Sequence, residues 1–134
     1  MTRVHATCVA IEGRGVLIAG PSGSGKSDLA LRLIDRGAAL VSDDYCALAV
    51  VDGMLVARAP ATIAGRIEVR GLGIVTLPAL PAASIALYVT AGVPDRMPEP
   101  AGKTILDVTM PMLTLALLEA TAPLKVELAL KASA

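Results

Sequence analysis

A chain of 134 residues with 54% hydrophobic and only 18% charged side chains has enough apolar surface for one packed domain, which excludes a disordered or coiled-coil architecture. Twelve Lys and Arg balance twelve Asp and Glu, so no basic face is available to hold a nucleic-acid backbone. Aromatics are 1% of the residues, with no Phe or Trp, so unpaired bases have no stacking platform and the core is left to Ala, Val, Leu and Ile, with Met as filler.

Asn is absent as well, which excludes the guanine-reading Asn-Lys-x-Asp motif and the metal-binding Asn of eukaryotic-type protein kinases. Cys8 and Cys46 lack the spacing of a metal site and read as buried thiols of a reducing compartment, with a disulfide as the alternative. The opening Met1-Thr2-Arg3-Val4-His5 carries no apolar signal core, and the longest apolar stretch, residues 77–93, is broken by Pro78, Pro81, Ser84 and Thr90. No repeat or linker divides the chain, so residues 1–134 are expected to form one cytoplasmic domain.

In chain order, residues 4–11 read as a strand, Gly13-Arg14-Gly15 as a turn, and residues 16–19 as a short buried strand. A glycine-rich loop covers residues 20–25. From 26 to 36, Leu29, Ala30, Leu33 and Ile34 recur at helical spacing, and Gly37 is placed to end the helix in a left-handed conformation. Residues 39–41 resume a strand that ends at Asp43-Asp44. Asp52-Gly53 predicts a hairpin between residues 45–51 and 54–58. Residues 63–77 read as strand, tight loop, strand, residues 84–89 as a strand, and 94–102 as a loop. Residues 104–117 read as one or two strands interrupted at Pro111. For residues 122–131 a helix opened by Pro123 is favoured over the alternating pattern of Val126, Leu128 and Leu130.

Gly20-Pro21-Ser22-Gly23-Ser24-Gly25-Lys26-Ser27 fits the phosphate-loop pattern G-x-x-x-x-G-K-[ST], and it lies between an apolar strand and an amphipathic helix, as that motif requires. Glycines let backbone N–H groups approach phosphate oxygens, and the helix N-terminus adds partial positive charge. Lys26 would reach the β- and γ-phosphates, and the Ser27 hydroxyl would ligate Mg²⁺. Gly102-Lys103-Thr104 imitates the end of the pattern, but Met97 stands where its first Gly is needed and no apolar strand leads into it, so it reads as a plain loop-to-strand entry.

A strand–loop–helix–strand unit is expected to set the second strand beside the first, with Asp43 and Asp44 on the side of the phosphate loop. Two carboxylates there can bind Mg²⁺ or take a proton from an attacking hydroxyl; capping a strand end is the alternative. Alternation puts Glu68 and Arg70 on one face of a strand, and Gly71-Leu72-Gly73 after them implies a tight bend or a close ligand, although a surface ion pair accounts for the charges equally well. His5, the single histidine, and Arg96, in a proline-stiffened loop, read by themselves as ordinary solvated residues.

Taken together these residues resemble the catalytic domain of the HPr kinase/phosphorylase family, which phosphorylates a serine of the phosphocarrier HPr of the sugar phosphotransferase system. The likeness begins at His5 and runs through the loop at 20–27, Arg36-Gly37 and Val41-Ser42-Asp43-Asp44. It returns at residues 67–75 and around Asp95-Arg96 and Ile105-Leu106-Asp107. The resemblance implies an α/β phosphate-loop domain with mixed, largely antiparallel sheets, like the phosphoenolpyruvate carboxykinases. It implies ATP and Mg²⁺ as cofactors, with Gly20, Pro21, Ser22, Gly23, Ser24, Gly25, Lys26 and Ser27 on the phosphates. Ser27 and Glu68 would ligate Mg²⁺, with Asp43 as a further ligand or the partner of one. Asp44 would deprotonate the substrate serine, and His5 and Arg96 match the family's remaining active-site His and Arg. Arg70, Gly71, Leu72 and Gly73 would form a loop on the substrate side.

Longer members of that family carry a preceding N-terminal domain, whereas this sequence starts almost at the His-containing strand and looks like the short alphaproteobacterial form. Residues 115–120 stand roughly where longer members have an Arg- and Asn-containing segment linked to dephosphorylation, and they contain neither residue. Kinase activity is therefore expected over phosphorylase activity. A homo-oligomer, hexameric in longer members, is implied as well. A different phosphate-loop kinase or NTPase, and a non-catalytic nucleotide-binding regulator, are the alternative readings. With Tyr45 and Tyr88 the only aromatics, recognition is expected to rest on the triphosphate rather than the base.

Overall fold

The computed structural model describes residues 2–133. Strand β1 (Thr2–Val4) is separated by His5 alone from β2 (Ala6–Ile11), which turns at Glu12-Gly13 into β3 (Arg14–Ala19). Both turn residues have positive φ, 51° and 79°, as a two-residue hairpin turn demands. The turn therefore lies earlier than the expected Gly13-Arg14-Gly15, and Gly15 belongs to β3. A glycine-rich loop then leads into α1 (Lys26–Asp35), which ends as expected at Gly37 with φ 110°. β4 (Ala39–Ser42) follows, then the hairpin of β5 (Cys46–Val51) and β6 (Met54–Arg58) around Asp52-Gly53.

A single 3₁₀ turn, Ala61–Ile63, precedes a second, separate hairpin of β7 (Arg66–Val69) and β8 (Gly73–Thr76). The long β9 (Ala83–Ala91), β10 (Ala101–Ile105), β11 (Val108–Leu115) and α2 (Ala122–Ala132) complete the chain. Pro111 does not interrupt the strand. It lies within β11, paired with β10 through Gly102, one residue before β11 begins to pair with β9 at Met112, so only one edge is engaged there.

The main sheet has nine strands in the order β1-β5-β6-β9-β3-β2-β4, with β11 also on β9 and β10 on β11. β9 runs parallel to β3 and β11, and the other strand pairings are antiparallel. Because β1 and β2 are almost continuous in sequence yet far apart in strand order, the sheet must curl back on itself. β4 pairs with β2 rather than lying beside β3 as the sequence reading had it. The β2–β3 hairpin places β2 between them. Both β3 and β4 run antiparallel to β2, so their carboxyl ends still emerge on the same side.

Two apolar clusters fill the two faces of this sheet. Cys8, Leu17, Val41, Cys46, Leu48, Leu55 and Met110 form one. Val9, Val16, Ile18, Leu87 and Val89 pack with Leu29 and Leu33 of α1, Val126 and Leu130 of α2, and Ile67 of β7 in the other. The β3–β9 register shifts between Gly15–Ile85 and Val16–Leu87, leaving Ala86 as an extra residue. That bulge sends Ile85 to the first cluster and Leu87 to the second, although they are two apart in one strand.

Candidate active site

The loop from β3 to α1 turns on Gly23 (φ 82°) and Gly25 (φ 103°), left-handed positions that favour glycine. A β-carbon on Gly25 would also lie 2.7 Å from Leu118 Cδ2. Gly25 is the N-cap of α1 and makes no side-chain capping bond, so the first N–H groups of the helix are not capped from that position, and the first turn carries one acidic residue, Asp28. Lys26 opens α1 and is only 6% exposed. Its ammonium donates back to the carbonyls of Gly20 at 2.8 Å and Pro21 at 3.1 Å, which uses two of its three protons. Ser24 Oγ is buried without a hydrogen-bond partner.

Asp43, just beyond β4 and 5% exposed, is the hub of the site. Its Oδ1 accepts from the Ser27 hydroxyl at 2.6 Å and the Thr7 hydroxyl at 3.0 Å, and its Oδ2 accepts from the Glu68 backbone N–H at 3.0 Å. One carboxylate thus ties α1, β2 and β7 to the end of β4. Hydrogen bonds to a carboxylate are about twice as strong as neutral ones, which compensates its burial.

Asp44 has φ 69°, a conformation Asp tolerates better than most residues. The reversal is held by the Tyr45 N–H on the Asp43 carbonyl at 2.8 Å, by the Ser42 hydroxyl on the Tyr45 carbonyl, and by the Asp44 N–H on Thr7 Oγ1 at 3.2 Å. His5 Nε2 donates to Asp44 Oδ1 at 2.8 Å, and Tyr45 stacks on the imidazole at 5.0 Å between ring centroids. His5 reaches Asp44 because it sits at the break between β1 and β2.

A cavity of about 430 Å³ opens over the loop. Ser22, Gly23, Gly25, Lys26 and Ser27 line it from the loop and α1, with Asp44, Glu68 and Arg70 across from them. Val69 lines the cavity along with Glu68 and Arg70, and Arg70 lies just past the end of β7, so strand alternation does not by itself account for their placement. Arg70 Nη2 comes within 3.8 Å of where a β-carbon on Gly23 would stand. Leu31, Val69 and Leu118 supply an apolar wall. Leu118 is held there by Arg32 of α1, whose guanidinium donates to the carbonyls of Leu117 and of Glu119, the latter at 2.9 Å, while its Nε reaches Asp28 at 2.7 Å.

Not every expected residue converges. Gly71 and Gly73 turn the β7–β8 connection at φ 91° and 100°, but none of Gly71, Leu72 and Gly73 lines the cavity, and Leu72 is 79% exposed. Arg96 is exposed in the loop after β9 and makes no ion pair or cavity contact among the described residues. Neither tyrosine lines the cavity either: Tyr45 stacks on His5, and Lys103 lies over Tyr88. Among the described residues no three His, Cys, Asp or Glu side chains cluster as a ready-made metal cage. Thr7, Arg32 and Leu118 were missed by the sequence reading. Only Thr7 left a trace, as a lone hydroxyl in the otherwise apolar Ala6–Ile11.

Behind the site, Cys8 and Cys46 are free and buried, in line with the expectation of buried thiols. A hydrogen bond with Cys46, then burial, pushes the Cys8 thiol well above its ordinary pKa.

A family model described as HPr Serine kinase C-terminal domain matches residues 1–84, a span that includes every candidate above except Arg96 and Leu118. The HPr kinase/phosphorylase of Clostridium acetobutylicum is 48% identical over 79 residues, which is 59% of this chain and 26% of that protein. The one from Clostridium novyi is 41% identical over 104 residues, 71% of this chain and 34% of that protein. The chain therefore matches about a quarter to a third of the length of these curated relatives. Among solved structures, the Hpr(Ser) kinase/phosphatase from Coxiella burnetii matches with a TM-score of 0.86 at 27% identity, covering 98% of this chain and 90% of that one.

Proposed function

The chain belongs to the HPr serine kinase C-terminal domain family, and we propose that it is an ATP- and Mg²⁺-dependent kinase acting on a serine of the phosphocarrier HPr. The observation that carries this reading is the Ser27–Asp43 hydrogen bond with Asp44 and His5 alongside, on the rim of a cavity floored by the glycine-rich loop. That arrangement supports phosphate binding on one side and proton removal on the other.

The residues present fit both ligands. Ser24 Oγ lacks a partner, the loop glycines leave no side chains in the cradle, and the third proton of Lys26 is uncommitted, so the loop suits phosphate oxygens. The Ser27 hydroxyl and the carboxylates of Asp43 and Glu68 are hard oxygen donors of the kind Mg²⁺ takes. They are too few for a full protein cage, as expected where phosphates and water complete the shell. Mg²⁺, when bound, neutralises charge on the phosphoryl group in flight.

In this reading the loop N–H groups and Lys26 hold the triphosphate, and Asp44 accepts the proton of the substrate hydroxyl as its oxygen attacks the γ-phosphorus, the bond to the β,γ-bridging oxygen breaks and ADP leaves. His5 orients the Asp44 carboxylate by its 2.8 Å bond. Arg70, with Gly71, Leu72 and Gly73, borders the acceptor side, and Arg96 would add positive charge from its loop. We read residues 1–134 as one cytoplasmic catalytic domain of the phosphoenolpyruvate carboxykinase-like type, assembling as a homo-oligomer and carrying kinase rather than phosphorylase activity. Mass spectrometry of HPr after incubation with the protein and Mg-ATP tests the proposal. A mass gain of one phosphate on a serine is expected, and unmodified HPr with nucleotide consumed elsewhere would overturn it.

A further inference from the structure

We infer that Thr7 is a positioning residue of this site, its single hydroxyl setting the two aspartates relative to each other. The inference rests on the phosphoryl-transfer reading above, in which Asp43 serves the metal and Asp44 the proton.

Thr7 is fully buried, at 0% exposure, among the apolar residues of β2. If packing alone were required there, valine would match its shape without the cost of desolvating a hydroxyl. Instead both capacities of Oγ1 are used on adjacent residues of one turn. It accepts from the Asp44 N–H at 3.2 Å and donates to Asp43 Oδ1 at 3.0 Å. Because the incoming N–H occupies a lone pair, the hydroxyl proton is directed at Asp43, and each bond polarises the other.

The sheet register creates this contact. Cys8 pairs with Ser42, so Thr7 falls opposite Asp43 just past the end of β4. The register slips by one residue between Cys8–Ser42 and Val9–Leu40, and a bulge of this kind re-aims the strand end beside it. Asp44, left-handed at φ 69°, has no strand partner of its own to hold its N–H. Thr7 supplies that hold from the neighbouring strand and at the same time fixes the oxygen that Ser27 approaches at 2.6 Å.

The test compares Thr7→Val, which keeps the shape, with Thr7→Ser, which keeps the hydroxyl, in the full chain. Thr7→Cys, a weak donor of serine's size, replaces the valine variant if that one does not fold. kcat and KM for phosphorylation of HPr are measured together with the Mg²⁺ concentration that half-saturates binding of a fluorescent ATP analogue. Thr7→Val is expected to lower kcat about 10- to 100-fold, with the KM for HPr nearly unchanged and half-saturation moved to higher Mg²⁺. Thr7→Ser should restore most of both. Wild-type kcat and Mg²⁺ dependence in Thr7→Val would overturn the inference, as would a serine variant as impaired as the valine one. If the wild-type protein binds Mg-nucleotide but leaves HPr unmodified, the kinase reading falls, and the Mg²⁺ half-saturation alone then decides the role of Thr7.

Discussion

Replacing Asp44 by Asn removes a negative charge and a proton acceptor while leaving the fold nearly untouched. The φ of 69° makes Asn the right substitution, since it enters the left-handed region as readily as Asp, whereas Ala would add about 1 kcal/mol of backbone strain. The Asp44 side chain is 61% exposed, and the side chain of His5, with which it pairs, is 38% exposed. Loss of that pair should change stability by no more than about 0.5 kcal/mol. The bond from the Asp44 N–H to Thr7 is a backbone contact and survives. A positioned general base accelerates transfer by about 10²- to 10⁴-fold, or about 3–5 kcal/mol of barrier. Asp44→Asn is therefore expected to lose that much kcat on HPr while nucleotide affinity by calorimetry and the thermal midpoint stay close to wild type. Transfer at the wild-type rate by Asp44→Asn would refute the assignment of the base, and an equal loss of nucleotide affinity would move Asp44 to the binding side of the site.

Three further outcomes follow from the geometry. Gly15→Ala places a β-carbon 2.7 Å from the Ser84 carbonyl and 2.9 Å from Ile85 Cδ1, so β3 and β9 must separate. A loss of about 1–3 kcal/mol is expected, seen as a thermal midpoint lower by about 4–12 °C, and an unchanged midpoint would show that the pair yields freely. The Cys8 thiol holds its proton more tightly in the folded than in the unfolded chain, so the stability it contributes is complete below the ordinary thiol pKa of 9.0 and is lost as the pH rises beyond it. Urea midpoints should fall less steeply above that pH in Cys8→Ala than in the wild type, and neither thiol should react with a disulfide reagent until the protein unfolds. Finally, with neither tyrosine lining the cavity, ATP and GTP should support transfer at comparable rates, whereas a strong preference for ATP would point to a base contact outside the residues named above.

What could be read without coordinates was encoded locally. Asp52-Gly53 announces its hairpin because that turn needs two positive φ values, 52° and 78° here. Helix α1 follows from Leu29, Ala30 and Leu33 at helical spacing and from Gly37 at its end. The glycine-rich loop, Lys26 and Ser27 form one contiguous motif whose spacing reports its backbone. Asp43-Asp44 were legible as candidates because two carboxylates at a strand end on the side of the phosphate loop suit phosphate chemistry, whereas Glu68 gained its metal role only from the family resemblance.

Register, by contrast, has no local signature. The separation of β4 from β3 by β2, the bulge that leaves Ala86 unpaired, and Pro111 accepted inside β11 all depend on which strands meet and where. Gly15 looked like a turn residue, yet it is small because the Ser84 carbonyl passes over it. Thr7 meets Asp43 across 36 residues, and Arg32 holds Leu117 and Glu119 across more than 80. The low aromatic content left room only for a core of small aliphatic side chains. Where that core sets each polar group is decided by the curl of the sheet, because a buried hydroxyl or guanidinium finds its acceptor only once distant strands have fixed their pairing.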